Sequence, residues 1–329
     1  MRRVVIALLS SLFLAACGED TGKAFLSSQT PPALPPRAWA PDGWAWGAIR
    51  IGEAPELRYG VVGPAGRPKG HVLFVTGYGE PAEVYFEVAR DLLDRGHAVW
   101  VLEPHGQGGS GRFRGPRDVG RSAGFDVDAD AVRMLATRVI RPRSGEPLVL
   151  AGWDSGALPV LLALQAGTPE ASGAFLWSPD LSAVADPRAA DWFTRAGLGL
   201  LRAEGAAWTR PAGDMTRPSR RPLAWQMANP DLRIGGRGHS WLKAEAAAVA
   251  QATDAAALSR ILRPVAVHAR PKDRPAERAC RAIPGCRLQP ASAGGAIHLV
   301  DDAAARTAWR DALIAFVEGA GEPPADHAP

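Results

Sequence analysis

The segment from residue 148 to 159, LVLAGWDSGALP, has the residue types of a turn that presents a reactive side chain. An apolar run ends at Gly152, and Gly156 follows four positions later, which is the spacing of a sharp strand-to-helix turn with a nucleophile midway between the glycines. The midway residue is usually serine, but here it is Asp154, and the only serine of the segment, Ser155, comes one position later. The spacing therefore predicts a nucleophile position that holds a carboxylate.

Two residues farther along could complete a site with Asp154. Asp273 follows the strand-like run RPVAVHA, and His298 lies in the glycine-rich loop GGAIHLVDD directly before the last helical segment. Nucleophile, orienting acid and histidine base occur in this chain order in one large class of hydrolytic sites. We expect Asp154, Asp273 and His298 to share one site, with Asp180, after the run ending LWSP, as the alternative orienting acid.

The elements that would position these residues alternate between strand-like and helix-like patterns from residue 57 onward. Repeated β–α units predict a mostly parallel sheet with helices on both faces, and such sheets carry their sites at the carboxyl ends of the strands. The Arg-, Trp- and Gly-rich stretch 181–256 breaks the alternation and is predicted to form an inserted helical cap. The predicted organisation is a core of 57–180 and 257–319, the cap, a lead-in of 18–56 and a disordered tail of 320–329.

The first residues, MRRVVIALLSSLFLAACGED, combine two arginines, a short apolar run and small residues, which is typical of a secretory signal. The sequence LAAC resembles a bacterial lipobox, so residues 1–17 are predicted to be a lipoprotein signal with Cys17 lipidated. The alternative is an ordinary signal with a chance cysteine. No aspartate follows Cys17, which favours the outer membrane, facing the periplasm. The Pro-rich segment 18–42 is predicted to be a tether to this lipid, and the domain would contact the membrane surface through it.

Cys280 and Cys286 would then lie in an oxidising compartment, where disulfides persist. Five residues separate them, so a disulfide and two buried free thiols are both compatible with the sequence.

Composition excludes several classes of function. The chain has 329 residues and a net charge of +4, and its arginines are scattered, which does not favour a nucleic-acid partner. The histidines show no paired spacing of a metal site. No segment predicts a cofactor.

Four segments together resemble a known family. They are GYGEPAEVYFEVARDLLDRGHAVWVLEPHGQGGSGR, the turn around Asp154, NPDLRIGGRGHSWL in the cap, and GAIHLVDD. Over about residues 57–318 the chain resembles the lysophospholipase and monoacylglycerol-lipase-like α/β-hydrolases, which are grouped with serine aminopeptidase-like enzymes. The resemblance implies an α/β-hydrolase fold, a small or lipid-like substrate, and an oxyanion hole formed by the backbone N–H groups of Tyr78 and Ser155. The chain departs from the family at Thr76-Gly77, where His-Gly is usual, and at Asp154.

Asp154 changes the chemistry that the resemblance implies. A carboxylate that attacks an ester is expelled again more readily than the alkoxide, because it is the weaker base by about ten pK units. Attack on a saturated carbon, as in epoxides or haloalkanes, instead leaves an ester on Asp154, which His298 would hydrolyse by activating water. Ser155 as a displaced nucleophile is disfavoured, because the turn presents only its central side chain.

The predicted cap gives little support to either an epoxide or a haloalkane as the substrate. All three tyrosines precede it, so it lacks the tyrosines that protonate epoxides. His239 could substitute for them but is more simply an ordinary polar residue of the cap. The tryptophans of the cap could bind a halide ion, but the simpler interpretation is that they pack against other apolar side chains. The second hypothesis is a catalytically inactive protein that keeps the fold and the pocket and serves as a binding or interaction module. Retention of Asp273 and His298 favours activity.

Overall fold

A computed structural model of the chain describes residues 22–291 and 296–320. Its centre is an eight-stranded sheet with the order β1-β2-β4-β3-β5-β6-β7-β8. The strands are β1 (Ala45–Ile49), β2 (Leu57–Val62), β3 (His71–Val75), β4 (Ala98–Leu102), β5 (Leu148–Trp153), β6 (Ala171–Trp177), β7 (Val265–Ala269) and β8 (Arg287–Pro290). β1 pairs with β2 and β2 with β4 in antiparallel fashion, and all other pairs are parallel.

Helices cover both faces of this sheet, which confirms the predicted α/β-hydrolase architecture. They are α1 (Phe86–Asp94), α2 (Phe125–Met134), α3 (Ala157–Gln165), α4 (Pro187–Arg195), α5 (Arg221–Ala228), α6 (His239–Ala252), α7 (Ala255–Leu258), α8 (Arg274–Ala282) and α9 (Ala303–Gly319). Helices α4, α5 and α6 lie between β6 and β7, in the stretch predicted to form a cap. Within the two described ranges, no helix is both long and apolar enough to cross a bilayer.

The central strands are buried on both faces, as expected for parallel strands that helices cover on each side. Along β3, Leu73 and Val75 pack into one apolar cluster with α2 and α3, whereas Val72 and Phe74 pack into a second cluster with α1 and α9. Helix α6 packs against α3 and α4, and its Trp241 belongs to the first cluster. Part of the predicted cap is therefore continuous with the core of the domain.

The carboxyl ends of the parallel strands meet at one edge of the sheet, which we call the carboxyl edge. It carries the loop from Thr76 after β3, the loop from Glu103 after β4, the turn at Asp154 after β5, and the segments that contain Asp180 after β6 and Asp273 after β7. The fold therefore brings the ends of all the predicted site segments to one side of the molecule.

The described part of the predicted tether does not form a free linker. The backbone of Phe25 donates a hydrogen bond to the Gly109 carbonyl at 2.7 Å, and Leu34 and Ala38 are buried in the core. Residues 22–38 lie on the domain because their apolar side chains and backbone groups find partners there. The Pro-rich composition suggested an extended segment but gave no sign of these contacts. Residues 1–21, with Cys17, and all but the first residue of the predicted tail lie outside the described residues.

Candidate active site

The turn after β5 holds Asp154 in a strained backbone conformation. Its φ angle is +52°, in the left-handed region that only a few residues other than glycine adopt. A Cβ atom on Gly156 would lie 2.5 Å from the backbone oxygens of Val75 and Thr76, and one on Gly152 would lie 2.8 Å from Ala157 Cα. The turn therefore needs both flanking glycines, and it projects the Asp154 side chain at the carboxyl edge.

The carboxylate of Asp154 lies against the backbone groups predicted to form an oxyanion hole. The Tyr78 N–H donates to Asp154 Oδ2 at 3.4 Å, and the Ser155 N–H lies close enough to favour the charged form of this carboxylate. Burial raises the pKa of Asp154, the Ser155 N–H opposes this shift, and the nearby Asp180 carboxylate adds to it. The predicted oxyanion hole therefore faces a carboxylate of the protein itself.

Ser155 is placed where it cannot act as a displaced nucleophile. Its residue surface is only 1% exposed, and among the described residues its hydroxyl has no hydrogen-bond partner. A serine needs a base within hydrogen-bond reach to attack. The structure leaves the backbone N–H as the group that Ser155 contributes.

His298 lies on a short 3-10 turn, Ile297–Leu299, and both of its ring nitrogens face groups other than Asp154. The Trp177 indole N–H donates to Nδ1 at 3.2 Å, and Nε2 lies 3.0 Å from Glu80 Oε1. Because Nδ1 accepts a hydrogen bond, a neutral ring carries its proton on Nε2. Nε2 and Glu80 Oε1 are close, but neither atom has a hydrogen-bond partner among the described residues. The Trp153 ring packs beside the imidazole at 5.4 Å between centroids. In this conformation neither nitrogen offers a free lone pair for water activation.

Glu80 is the acidic residue beside His298, and the sequence pattern did not single it out. It is buried, and its second oxygen accepts a hydrogen bond from the Tyr85 hydroxyl at 3.0 Å. The Tyr85 ring stacks on His298 at 5.2 Å. Glu80 lies directly after a buried strand in GYGEPAEVYF, a mostly apolar segment whose other carboxylate is Glu83. This position is a signal that could have found it, because a buried charge needs a partner.

Asp273 is not where the predicted triad requires it. Its carboxylate accepts a hydrogen bond from the Ala276 N–H at 3.1 Å and caps the N-terminus of α8. No hydrogen bond or ion pair joins it to His298 within the described residues. The sequence Asp-Arg-Pro, with proline in the first turn, is a strong helix start, and this local role holds the side chain.

Asp180 and the cap supply the other charges near Asp154. The Asp180 N–H donates to the Asp154 carbonyl at 3.1 Å. Arg237 lies 5.1 Å above the centre of the Tyr78 ring and 3.2 Å from Glu245 Oε2, and its charge acts on Asp154 and Asp180. Burial raises the pKa of Glu245 to about 7, although Arg237 opposes the shift. Arg237 therefore places a positive charge in an otherwise acidic group.

A groove of about 570 Å³ borders Tyr78 and Arg237 and runs along cap residues that include Trp208 and Leu223. Its volume suits a small organic ligand. Trp225 and Trp241 are buried and pack, whereas Trp192 is exposed. His239, considered above as a substitute for a cap tyrosine, stacks on Phe193 at 4.1 Å.

Cys280 and Cys286 form a disulfide with a Cα separation of 5.4 Å. This bond ties the end of α8 to the start of β8. No cluster of three or more metal-ligating side chains occurs in residues 22–291 and 296–320.

Comparison with solved structures identifies the fold. The chain resembles a carboxyl esterase from Bacillus coagulans solved in complex with glycerol, at 13% identity and a TM-score of 0.67, over 85% of this chain and 99% of that one. It also resembles a soluble variant of the monoglyceride lipase of Saccharomyces cerevisiae in complex with a substrate analogue, at 15% identity and a TM-score of 0.63, over 84% and 96%. A monoacylglycerol lipase from Paleococcus ferrophilus matches at 16% identity and a TM-score of 0.61, over 80% and 99%.

Sequence comparison identifies the family. No curated protein matches the chain significantly. The profile of the serine aminopeptidase S33 family matches residues 66–270, more than half of the chain. This range includes Tyr78, Asp154 and Ser155 and ends before Asp273 and His298. The chain therefore belongs to the serine aminopeptidase S33 family of α/β-hydrolases.

Proposed function

We propose that this protein is a lipid-anchored hydrolase of the bacterial envelope that acts on small or lipid-like substrates with Asp154 as its nucleophile. One observation carries the proposal: Asp154 occupies the strained turn, the Tyr78 N–H donates to its carboxylate at 3.4 Å, and the Ser155 N–H favours the charged form. Those donors fix the orientation of the carboxylate before any substrate arrives, which is what a preorganised site requires. LAAC and Cys17 support the envelope location, and the lack of an aspartate after Cys17 favours the outer membrane, facing the periplasm.

The first step needs no base. One carboxylate oxygen of Asp154 attacks a saturated carbon, the carbon–halogen or carbon–oxygen bond breaks, and its electron pair leaves with the departing atom. The product is an ester on Asp154. An epoxide oxygen would also need a proton, and the hydroxyl of Tyr78 already donates to the Gly235 carbonyl at 2.9 Å. Haloalkane-like electrophiles therefore suit the site better than epoxides.

The second step returns the carboxylate. Water attacks the ester carbonyl, the oxyanion forms against the Tyr78 and Ser155 N–H groups, and a base takes the water proton. The adduct then collapses, the acyl C–O bond breaks, and the base gives its proton to the departing alkoxide, which leaves as the alcohol. His298 is the base that the sequence predicts. Turnover requires its ring to leave Glu80 and Trp177 and to direct a lone pair toward Asp154.

A second candidate function is a binding module that uses the groove without turnover. The position of His298 favours it, since Nδ1 accepts a hydrogen bond from Trp177 and Nε2 lies beside Glu80, away from Asp154. In that case Asp154 fills the oxyanion hole permanently and excludes the carbonyl oxygen of an ester.

The test compares the wild-type protein with Asp154→Asn, Asp154→Ser and His298→Ala on haloalkanes, epoxides, acyl esters, monoacylglycerols and lysophospholipids. We expect turnover of a carbon electrophile that Asp154→Asn abolishes, and accumulation of an alkyl ester on Asp154 in His298→Ala, seen as added mass. A silent wild type with esterase activity in Asp154→Ser supports the binding module. Ester turnover that survives Asp154→Asn rejects both candidates and returns attention to Ser155.

A further inference from the structure

The described N-terminal segment is fixed to the carboxyl edge at several points. Gly22 accepts a hydrogen bond from the Glu56 N–H at 2.9 Å, and the Ala24 N–H donates to the Glu56 carboxylate at 3.1 Å. A few residues later, the backbone of Gln29 exchanges two hydrogen bonds with the Asn229 side chain, at 2.7 and 2.9 Å. We call residues 22–29 the strap. It contacts both the core and the predicted cap.

The loop after β4 connects the strap to the candidate active site. A Cβ atom on Gly111 would lie 2.2 Å from the Gly22 carbonyl oxygen, so this loop lies directly beside the start of the strap. In the same loop, Gln107 accepts a hydrogen bond from the Gly79 N–H at 3.0 Å. Gly79 follows Tyr78, whose N–H bonds Asp154. The start of the strap and the site therefore share one edge of the sheet.

The chain length before the strap restricts how far the domain can be from the anchor. Cys17 is five positions before Gly22, and even a fully extended chain spans at most about 18 Å over that distance. The strands of five to seven residues that separate the two edges span about 17–23 Å, and the loops beyond their amino ends add to this distance. The opposite edge, which carries the amino ends of the parallel strands, is therefore out of reach of a membrane held at Cys17.

From these observations we infer that the carboxyl edge faces the bilayer and that the substrate is an amphiphile that enters the groove from the membrane. The inference rests on the proposed lipidation of Cys17 and deepens the proposed function by naming the source of the substrate. Charge alone would favour the opposite orientation, with the amino edge on the membrane. Arg67, Arg141 and Arg143 line a groove of about 740 Å³ at that edge. Anionic lipid would attract that edge if the strap did not prevent it.

The test measures energy transfer from a single dye on the full acylated protein to a lipid acceptor in vesicles of phosphatidylethanolamine and phosphatidylglycerol. Arg114→Cys carries the dye three residues from Gly111, and Ala65→Cys carries it in the β2–β3 loop at the amino edge. Both positions are exposed. The disulfide occupies Cys280 and Cys286, and the lipid occupies Cys17, so each variant has one reactive thiol.

We expect transfer from Arg114→Cys to be at least about twofold more efficient than from Ala65→Cys, since the two edges differ in height by a large part of the domain diameter. A Gly/Ser insertion of about 20 residues after Thr21 should reduce this difference, because a flexible linker frees the orientation. It should also slow turnover of substrate embedded in vesicles while leaving a water-soluble substrate unaffected.

Equal transfer from the two positions, or more from Ala65→Cys, overturns the orientation. Mass analysis of Cys17 and turnover of a water-soluble substrate separate this failure from a failure of the proposed function. An acylated, active protein with the wrong orientation rejects only the inference. A protein without lipid at Cys17 rejects both the location and the orientation.

Discussion

Nε2 of His298 lies 3.0 Å from Oε1 of Glu80, inside the protein and among aromatic rings. The pair joins the loop after β3 to the turn before α9, two segments far apart in the chain. It fixes the position of the imidazole independently of Asp273, which caps α8. The carboxylate beside the histidine is therefore a different residue from the one that chain order predicts.

Removing Glu80 should be more harmful than removing Asp273. In Glu80→Ala, the buried Tyr85 hydroxyl loses its acceptor and Nε2 of His298 loses its acidic neighbour, so we expect the free energy of unfolding to fall by about 2–3 kcal/mol. Asp273→Ala removes one helix cap, worth about 1 kcal/mol. Urea denaturation of both variants measures the difference. A larger loss in Asp273→Ala would contradict the assignment of Glu80 as the partner of His298.

Asp154 should destabilise the folded protein at neutral pH. Its pKa is raised in the folded state, so folding binds protons and stability falls as pH rises from the unfolded value of 3.8 through the folded pKa. Asp154→Asn removes the charge, so we expect it to be more stable than the wild type at pH 7 and to lose this advantage below pH 3.8. Thermal unfolding across this range tests the prediction, with Asp130→Asn, an exposed carboxylate, as the control. If the stability advantage of Asp154→Asn over the wild type grew as the pH was lowered, the predicted pH dependence would be wrong.

Arg58 should be essential for folding stability. It is fully buried between Glu83 and Glu103, with guanidinium-to-carboxylate distances of 2.8 to 3.0 Å in three of its hydrogen bonds. Burial opposes its charge, but the Glu103 and Glu83 carboxylates outweigh this and raise the pKa of Arg58. Arg58→Met leaves two carboxylates without a cation and should lower the free energy of unfolding by about 3–5 kcal/mol.

The control for Arg58→Met is Arg133→Met, which breaks only an exposed ion pair with Asp130 at 3.2 Å. Exposed pairs of this kind contribute less than about 1 kcal/mol. Denaturant unfolding should therefore show a clearly larger loss in the free energy of unfolding for Arg58→Met than for Arg133→Met. Similar losses would mean that the buried carboxylates find other partners.

The disulfide should contribute to stability although its loop is short. Closing a loop of this length restricts the unfolded chain by about 2 kcal/mol. We expect Cys280→Ala with Cys286→Ala to lower the melting temperature, and a reducing agent to lower that of the wild type by a similar amount. The double variant should be insensitive to the reducing agent. A wild type that is also insensitive would argue for free thiols.

The sheet and the turn at Asp154 could be predicted because both depend on local patterns. Buried strands such as β3 and β5 are continuous apolar runs, and the glycine spacing around Asp154 leaves few other conformations. β1 was missed because its residues are only partly buried and lie in a stretch dominated by proline and glycine signals. The strap was missed because backbone contacts to Gly109 and Asn229 leave no trace in composition.

The partner of His298 could not be predicted from chain order. Chain order gives which loop holds a residue, whereas the direction of a side chain depends on the neighbours that compete for it. Asp273 has a nearby backbone N–H to bond, and His298 has Trp177 and Glu80. Both outcomes depend on contacts between segments that are distant in sequence.

The backbone angle of Asp154 also limits how this position can change during evolution. Aspartate and serine codons differ by at least two nucleotides. Some of the shortest routes between them pass through alanine or tyrosine, and the others pass through asparagine or glycine. These two residues adopt a φ angle of +52° most readily. Each step between a serine enzyme and this aspartate form can therefore keep the turn folded, so gene lineages can cross between the two chemistries in either direction without first losing the protein.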